Sequence, residues 1–146
     1  MEDYKNANIL LVEDNQMDIE LTLDAFRENK LGNRIDVVTS GQDALDYLFG
    51  KGKYENRVDF PLPGIIMLDL KMPGIDGHEV LKEVKGAPVL KRIPIIILTS
   101  SKEEGDLHMS YDNGANSYLI KPISFKSLLI VIKKIGEYWL MLNVKL

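Results

Sequence analysis

Apolar residues along the chain fall into five short continuous runs, at 7–12, 35–38, 64–68, 93–98 and 117–120, each rich in β-branched or other large aliphatic side chains. Continuous rather than alternating runs of this length predict strands covered on both faces. Between and after them, apolar residues recur at helical spacing. Ile19, Leu21, Leu23 and Phe26 mark a first helix; Ala44, Leu45, Leu48 and Phe49 a second; Val80, Leu81 and Val84 a third. Leu107, Met109 and Tyr111 mark a fourth, the least periodic, and Phe125, Leu128, Leu129, Ile132 and Ile135 a fifth. Start signals agree: Ser40 and Ser124 are placed as N-caps, and Ser101 with Glu104 three residues on forms a capping box. Pro94 opens the fourth strand, where a missing N–H is tolerated. Strands alternating with helices predict repeated βαβ units, a parallel sheet and right-handed crossovers.

Two stretches depart from this rhythm. Residues 50–63 form a long, polar, proline-terminated connection whose lysines read as a solvated loop. Residues 137–146 are unusually apolar for a chain end and include Tyr138 and Trp139. With 146 residues and neither internal repeat nor low-complexity tract, the chain reads as a single domain with a core of about residues 8–135. A chain of this size buries roughly 68–70% of its unfolded surface and needs no covalent staples.

Composition narrows the function classes. The net charge of −4 argues against a general nucleic-acid binder, which would carry a basic face. Cysteine is absent, which removes disulfide and thiol chemistry and suits a reducing compartment. The start of the chain lacks an apolar signal core, and no apolar run approaches the ~20 residues of a membrane helix. The expectation is a cytoplasmic protein with no membrane partner.

The candidate chemistry lies at the predicted strand ends. Glu13 and Asp14 follow the first strand, and Asp69 follows the third, before a turn containing Met72-Pro73-Gly74 and Asp76-Gly77. In a parallel α/β sheet, ligands bind outside the carboxyl ends of the strands, where strand order reverses. Either carboxylate group alone could serve a helix start or cap a turn. Together, three anions at one crevice repel and imply a cation, a raised pKa, or both. Mg²⁺ suits one or two carboxylates together with water and phosphate oxygens, and an Asp beside it can attack a phosphoryl group. Thr99 and Ser100 end the fourth strand with hydroxyl donors; Lys121, before Pro122, ends the fifth with an ammonium. Phosphoryl transfer requires such donors and positive charge around the equatorial oxygens.

This set resembles the receiver domain of two-component response regulators, over about residues 8–135. The resemblance implies a (βα)5 doubly wound, flavodoxin-like fold with strand order 2-1-3-4-5. It implies Asp69 as acceptor of a phosphoryl group from a histidine kinase, in a Mg²⁺-dependent reaction. It implies metal ligation by Asp14 and Asp69 directly, by Lys71 through its backbone carbonyl, and by Glu13 through water. Thr99 and Lys121 would hold the phosphoryl group, Tyr118 matches the aromatic switch position, and Lys121-Pro122 matches a cis peptide. The 50–63 insertion and the Tyr138-Trp139 tail resemble the stand-alone regulators that partner bacterial phytochromes. The expected function is then a phosphorylation-controlled binding module rather than a metabolic enzyme, signalling by contact or onward phosphotransfer. Ile130, Val131, Leu140, Met141, Val144 and Leu146 add apolar side chains beyond the core stripe of the fifth helix. These predict a homodimer through that helix and the tail.

Other readings fit less well. A haloacid-dehalogenase-type phosphatase wants a second Asp where Lys71 stands, and a flavodoxin-like carrier wants a phosphate loop where Glu13-Asp14 would repel phosphate. An EF-hand over 69–80 would have Lys71, Pro73 and Val80 at ligand positions. The surviving alternative is a chemotaxis-type regulator that binds a motor or a phosphorelay intermediate. His78 and His108 read as ordinary residues of the third and fourth helices. Gly32, Gly86 and Gly114 read as helix-end or turn glycines.

Overall fold

The computed structural model describes residues 8–99, 117–120 and 124–137. Its strands are β1 (Ile9–Val12), β2 (Ile35–Val38), β3 (Ile65–Asp69), β4 (Ile95–Thr99) and β5 (Ser117–Ile120). The helices are α1 (Gln16–Glu28), α2 (Gly41–Phe49), α3 (Gly77–Lys85) and a further helix over Phe125–Ile135. All strand pairs are parallel, in the order β2-β1-β3-β4-β5. Both the expected fold class and the expected strand order are therefore observed. The expected fourth helix with its Ser101–Glu104 box, together with Ser100, Lys121, Pro122 and the 138–146 tail, lies outside the described residues.

Alternation along each strand divides the core in two. Leu10, Val12, Ile66, Leu68, Ile95 and Ile97 pack with Ala44, Leu48, Val80, Leu81 and Val84 of α2 and α3. Ile9, Leu11, Ile65, Met67, Ile96 and Leu98 pack with Ile19, Ala25 and Phe26 of α1 and with Leu128, Ile132 and Ile135. This is a doubly wound sheet, and the continuous apolar runs of β1, β3 and β4 are buried on both faces. The expectation fails at β2, where Ile35, Asp36 and Val37 are only half-buried, because β2 is an edge strand. Phe125 and Phe49, read from periodicity as core, are 37% and 39% exposed, each at an end of its helix where the apolar stripe runs off the sheet.

The caps position the helices. Ser40 and Ser124 accept hydrogen bonds from the Asp43 and Ser127 amides, as predicted. Asn15 and Asp76 do the same for Asp18 and Glu79, so the loops that follow β1 and β3 are fixed by N-caps the periodicity did not single out. After α1 the left-handed residue is Lys30, and Gly86 is the C-cap of α3, as its reading as a helix-end glycine expects.

Within residues 50–63, Lys51 and Lys53 are exposed, as expected, but the segment itself is built around buried aromatic contacts. It contains a short 3-10 turn, Gly52–Tyr54, whose Tyr54 is buried. Its ring packs against Tyr47 at 5.1 Å and Phe60 at 5.0 Å between centroids. Arg57 donates to the Tyr47 and Leu48 carbonyls at 2.7 and 2.8 Å, satisfying orphan acceptors at the end of α2. The Tyr47 hydroxyl bonds the Asp36 carboxylate at 2.5 Å and the Pro61 carbonyl at 3.1 Å. Arg34 bonds Asp36 at 3.0 Å and the Asp59 carbonyl at 2.5 Å. The insertion is thus an ordered strap that ties α2 to the entry of β2.

Candidate functional site

The site is built at the carboxyl edge of the sheet. Val12 pairs with Leu68, so Glu13 and Asp69 follow one another's level on adjacent strands β1 and β3. Glu13 is held there by its amide, which donates to the Val38 carbonyl of β2 at 3.0 Å. Its carboxylate accepts the Asn15 amide at 3.2 Å. Asp69 is the last residue of β3 and is buried, and one of its oxygens accepts the Lys71 amide at 3.1 Å. Asp14 is exposed and forms the open side of the cluster. Each of the three offers a carboxylate oxygen, and these oxygens all lie within 4.8 Å of one another.

This donor set fits a hard divalent cation. It offers only oxygen, the ligand type of Mg²⁺, Mn²⁺ and Ca²⁺. Two of its carboxylates, Glu13 and Asp69, are buried. Anions this close and this desolvated destabilise one another, and a dication relieves that repulsion. The exposed third ligand gives the cation a route in.

The loop after Asp69 is shaped by its own backbone. Leu70 and Met72 are buried and anchor it in the core, while Lys71 between them is exposed. The Gly77 amide closes the loop on the Leu70 carbonyl at 3.0 Å. A Cβ on Gly77 would overlap the Asp69 carbonyl oxygen and stand 2.6 Å from the Leu70 Cα, so α3 begins against the end of β3 only because no side chain intervenes. Gly77 carries no signal of this role in the sequence, since a missing atom leaves no pattern.

Of the other expected site residues, Thr99 ends β4, one position beyond Leu98, which pairs with Asp69. Tyr118 belongs to β5, and Thr99 pairs with Ile120, the residue before Lys121. The side chains of Thr99 and Tyr118, and the whole of Ser100, Lys121 and Pro122, lie outside the described residues. His78 is half-buried in the first turn of α3, consistent with its reading as an ordinary helix residue.

Residues 9–133 match the sequence profile of the response regulator receiver domain. This protein belongs to that family. It is a two-component signalling phosphoacceptor domain. Among its relatives, the probable methanogenesis regulatory protein FilR2 of Methanothrix harundinacea is 43% identical over 132 residues, covering 90% of this chain and 83% of the relative. Solved receivers superpose closely. The phosphorylated cyanobacterial phytochrome response regulator RcpA gives a TM-score of 0.84 at 39% identity, over 93% of this chain and 95% of its own. The Mn²⁺-bound form of response regulator Rcp1 gives 0.82 at 37% identity, over 93% and 96%. This receiver is therefore close to phytochrome-associated response regulators, and its acidic cluster is that of a metal site. No described helix is long and apolar enough to cross a membrane.

Proposed function

We propose that this receiver domain, with its core over residues 8–135, accepts a phosphoryl group on Asp69 from a histidine kinase, in a reaction that requires Mg²⁺. The observation that carries the reading is the meeting of Glu13, Asp14 and Asp69 within 4.8 Å at the sheet edge. Asp14 and Asp69 would hold the cation with the Lys71 carbonyl, and Glu13 would hold it through water. The cation supplies charge neutralisation for the cluster and for the phosphoryl oxygens. The Asp69 carboxylate is the nucleophile: one oxygen bonds phosphorus while the phosphorus–nitrogen bond to the kinase histidine breaks and the imidazole leaves with the shared pair. Thr99 and Lys121 stabilise the transferred group by hydrogen bonding and charge. Engagement of Thr99, followed by Tyr118, biases the surface that partners read. The phosphorylated relative RcpA supports both the chemistry and a phytochrome-type kinase as partner.

The test is transfer of labelled phosphate from a small phosphodonor such as acetyl phosphate. Label is expected on the wild type with Mg²⁺ and lost with EDTA; equal labelling with EDTA overturns the metal requirement.

The lifetime of the phosphoryl group should depend on Lys71, two residues beyond the acceptor and exposed beside it. A long cationic side chain there crowds the path of an attacking water. The expected result is slower loss of aspartyl phosphate from the wild type than from Lys71→Asn. A decay time course for both proteins checks it, and equal or faster decay in the wild type refutes it.

Output would pass through a homodimer built on the 125–135 helix and the tail. Ile130 is 49% exposed and Phe125 37%, whereas Val131, included in the predicted surface, is half-buried against its own core. Light scattering should show a dimer at micromolar concentration, and deletion of residues after Gly136 should give a monomer that still accepts phosphate. A wild type that stays monomeric, phosphorylated or not, favours the chemotaxis-type alternative.

A further inference from the structure

Gly41, the first residue of α2, lies on a different element from every site residue assigned above, yet it is buried against the 70–77 loop. A Cβ at Gly41 would overlap the Ile75 carbonyl oxygen, stand 2.9 Å from the Ile75 carbonyl carbon and 3.0 Å from its Cγ2. Its φ is not positive, so the backbone conformation does not call for glycine. Helix formation does not call for it either, because alanine is favoured over glycine within a helix by ~1 kcal/mol. What remains is space: the bare backbone of α2 admits the Ile75 peptide. Ile75 lies in the segment between Asp69 and Gly77 that carries Lys71, and it packs against the core cluster containing Leu70, Met72 and Ala44. That segment is therefore fixed from three sides, by the Gly77–Leu70 bond, by the buried Leu70 and Met72, and by Gly41.

We infer that Gly41 is a positioning residue of the phosphoacceptor site: by seating Ile75 on α2, it holds the 70–77 loop in the place that makes the cation site. The inference rests on the proposed role of Glu13, Asp14, Asp69 and the Lys71 carbonyl in holding the cation. A side chain at position 41 pushes the Ile75 peptide away, and the shift passes along the loop toward Lys71 and Asp69.

The test is a Mn²⁺ and Mg²⁺ titration, by calorimetry, of the wild type, Gly41→Ala and Gly32→Ala. Gly32 has nothing within 4 Å of the position a Cβ would take, so Gly32→Ala controls for the loss of a glycine as such. Gly41→Ala should bind both cations roughly tenfold more weakly, the scale of loss when groups that orient metal ligands are disturbed. Gly32→Ala should bind as the wild type does. Hydrogen exchange at the Gly77 amide should also quicken in Gly41→Ala relative to amides of β1 and β3. A purely structural role would lower the melting temperature of Gly41→Ala and leave the cation affinity of the folded protein unchanged, which overturns the inference. Should Gly41→Ala not fold, Ile75→Gly frees the same loop from its other partner. It should weaken both cations, and unchanged affinity there equally overturns the inference. A wild type that binds neither cation overturns the proposed function itself.

Discussion

Replacement of Asp69 by asparagine is expected to reduce phosphate labelling to background while leaving the fold intact. The carboxamide is close to isosteric and can still accept the Lys71 amide, now 3.1 Å from Asp69 Oδ1. It has no anionic oxygen to attack phosphorus, so the loss is chemical rather than structural. The substitution also removes one of three clustered charges. Without metal, the variant should therefore melt at a temperature at least as high as the wild type, because mutual repulsion of the carboxylates is relieved. Labelling with acetyl phosphate, paired with thermal melts in EDTA, checks both halves. Undiminished labelling would place the acceptor elsewhere, and a collapsed melting temperature would show that Asp69 is needed for folding rather than chemistry.

Tyr47→Ala should cost about 3–5 kcal/mol of stability, the range for removal of a buried aromatic ring. Tyr47 is 1% exposed and packs its ring at a tilt against Tyr54 and edge-on against Phe60. Its hydroxyl joins β2, through Asp36, to the insertion, through the Pro61 carbonyl. Removing the ring therefore leaves a cavity and takes a donor from both Asp36, which keeps Arg34, and the Pro61 carbonyl. Urea denaturation measures the effect, and a change below about 1 kcal/mol, the ordinary scale for a point substitution, would refute it. Phosphate acceptance by the folded fraction should persist, since Asp36 and Pro61 stand at the entry of the strands and Asp69 at their exit.

The same residue sets an alkaline limit. Burial, helped by the bond to Asp36, raises the Tyr47 phenol above its ordinary value. The folded state then keeps the proton to higher pH than the unfolded chain. Its contribution to stability is fully present below the unfolded pKa of about 10 and is lost as pH climbs from there toward the folded value. Tyr47→Phe should flatten the fall in stability above that pH, at the cost of a lower plateau at neutral pH from the lost hydrogen bonds.

The sequence by itself determined the architecture and the acidic cluster of the site. Runs buried on both faces, such as 9–12 and 65–68, identify central parallel strands because a sheet covered by helices leaves no polar face. Glu13, Asp14 and Asp69 were legible because carboxylates at the ends of such strands have few structural uses, and parallel topology brings strand ends to one edge. Ser40 and Ser124 were legible because capping is local chemistry.

What depended on distant contacts was decided only by the tertiary structure. The half-burial of β2 follows from its edge position, which only strand order fixes. Residues 50–63 read as a polar loop because their composition is polar, yet Tyr54, Arg57 and Phe60 gain partners on α2 that no local pattern encodes. Gly41 and Gly77 carry no side chain from which a pattern could be read. Their importance is the space they leave for the backbones of Ile75, Asp69 and Leu70, and that space exists only once α2 and α3 have docked against the 70–77 loop.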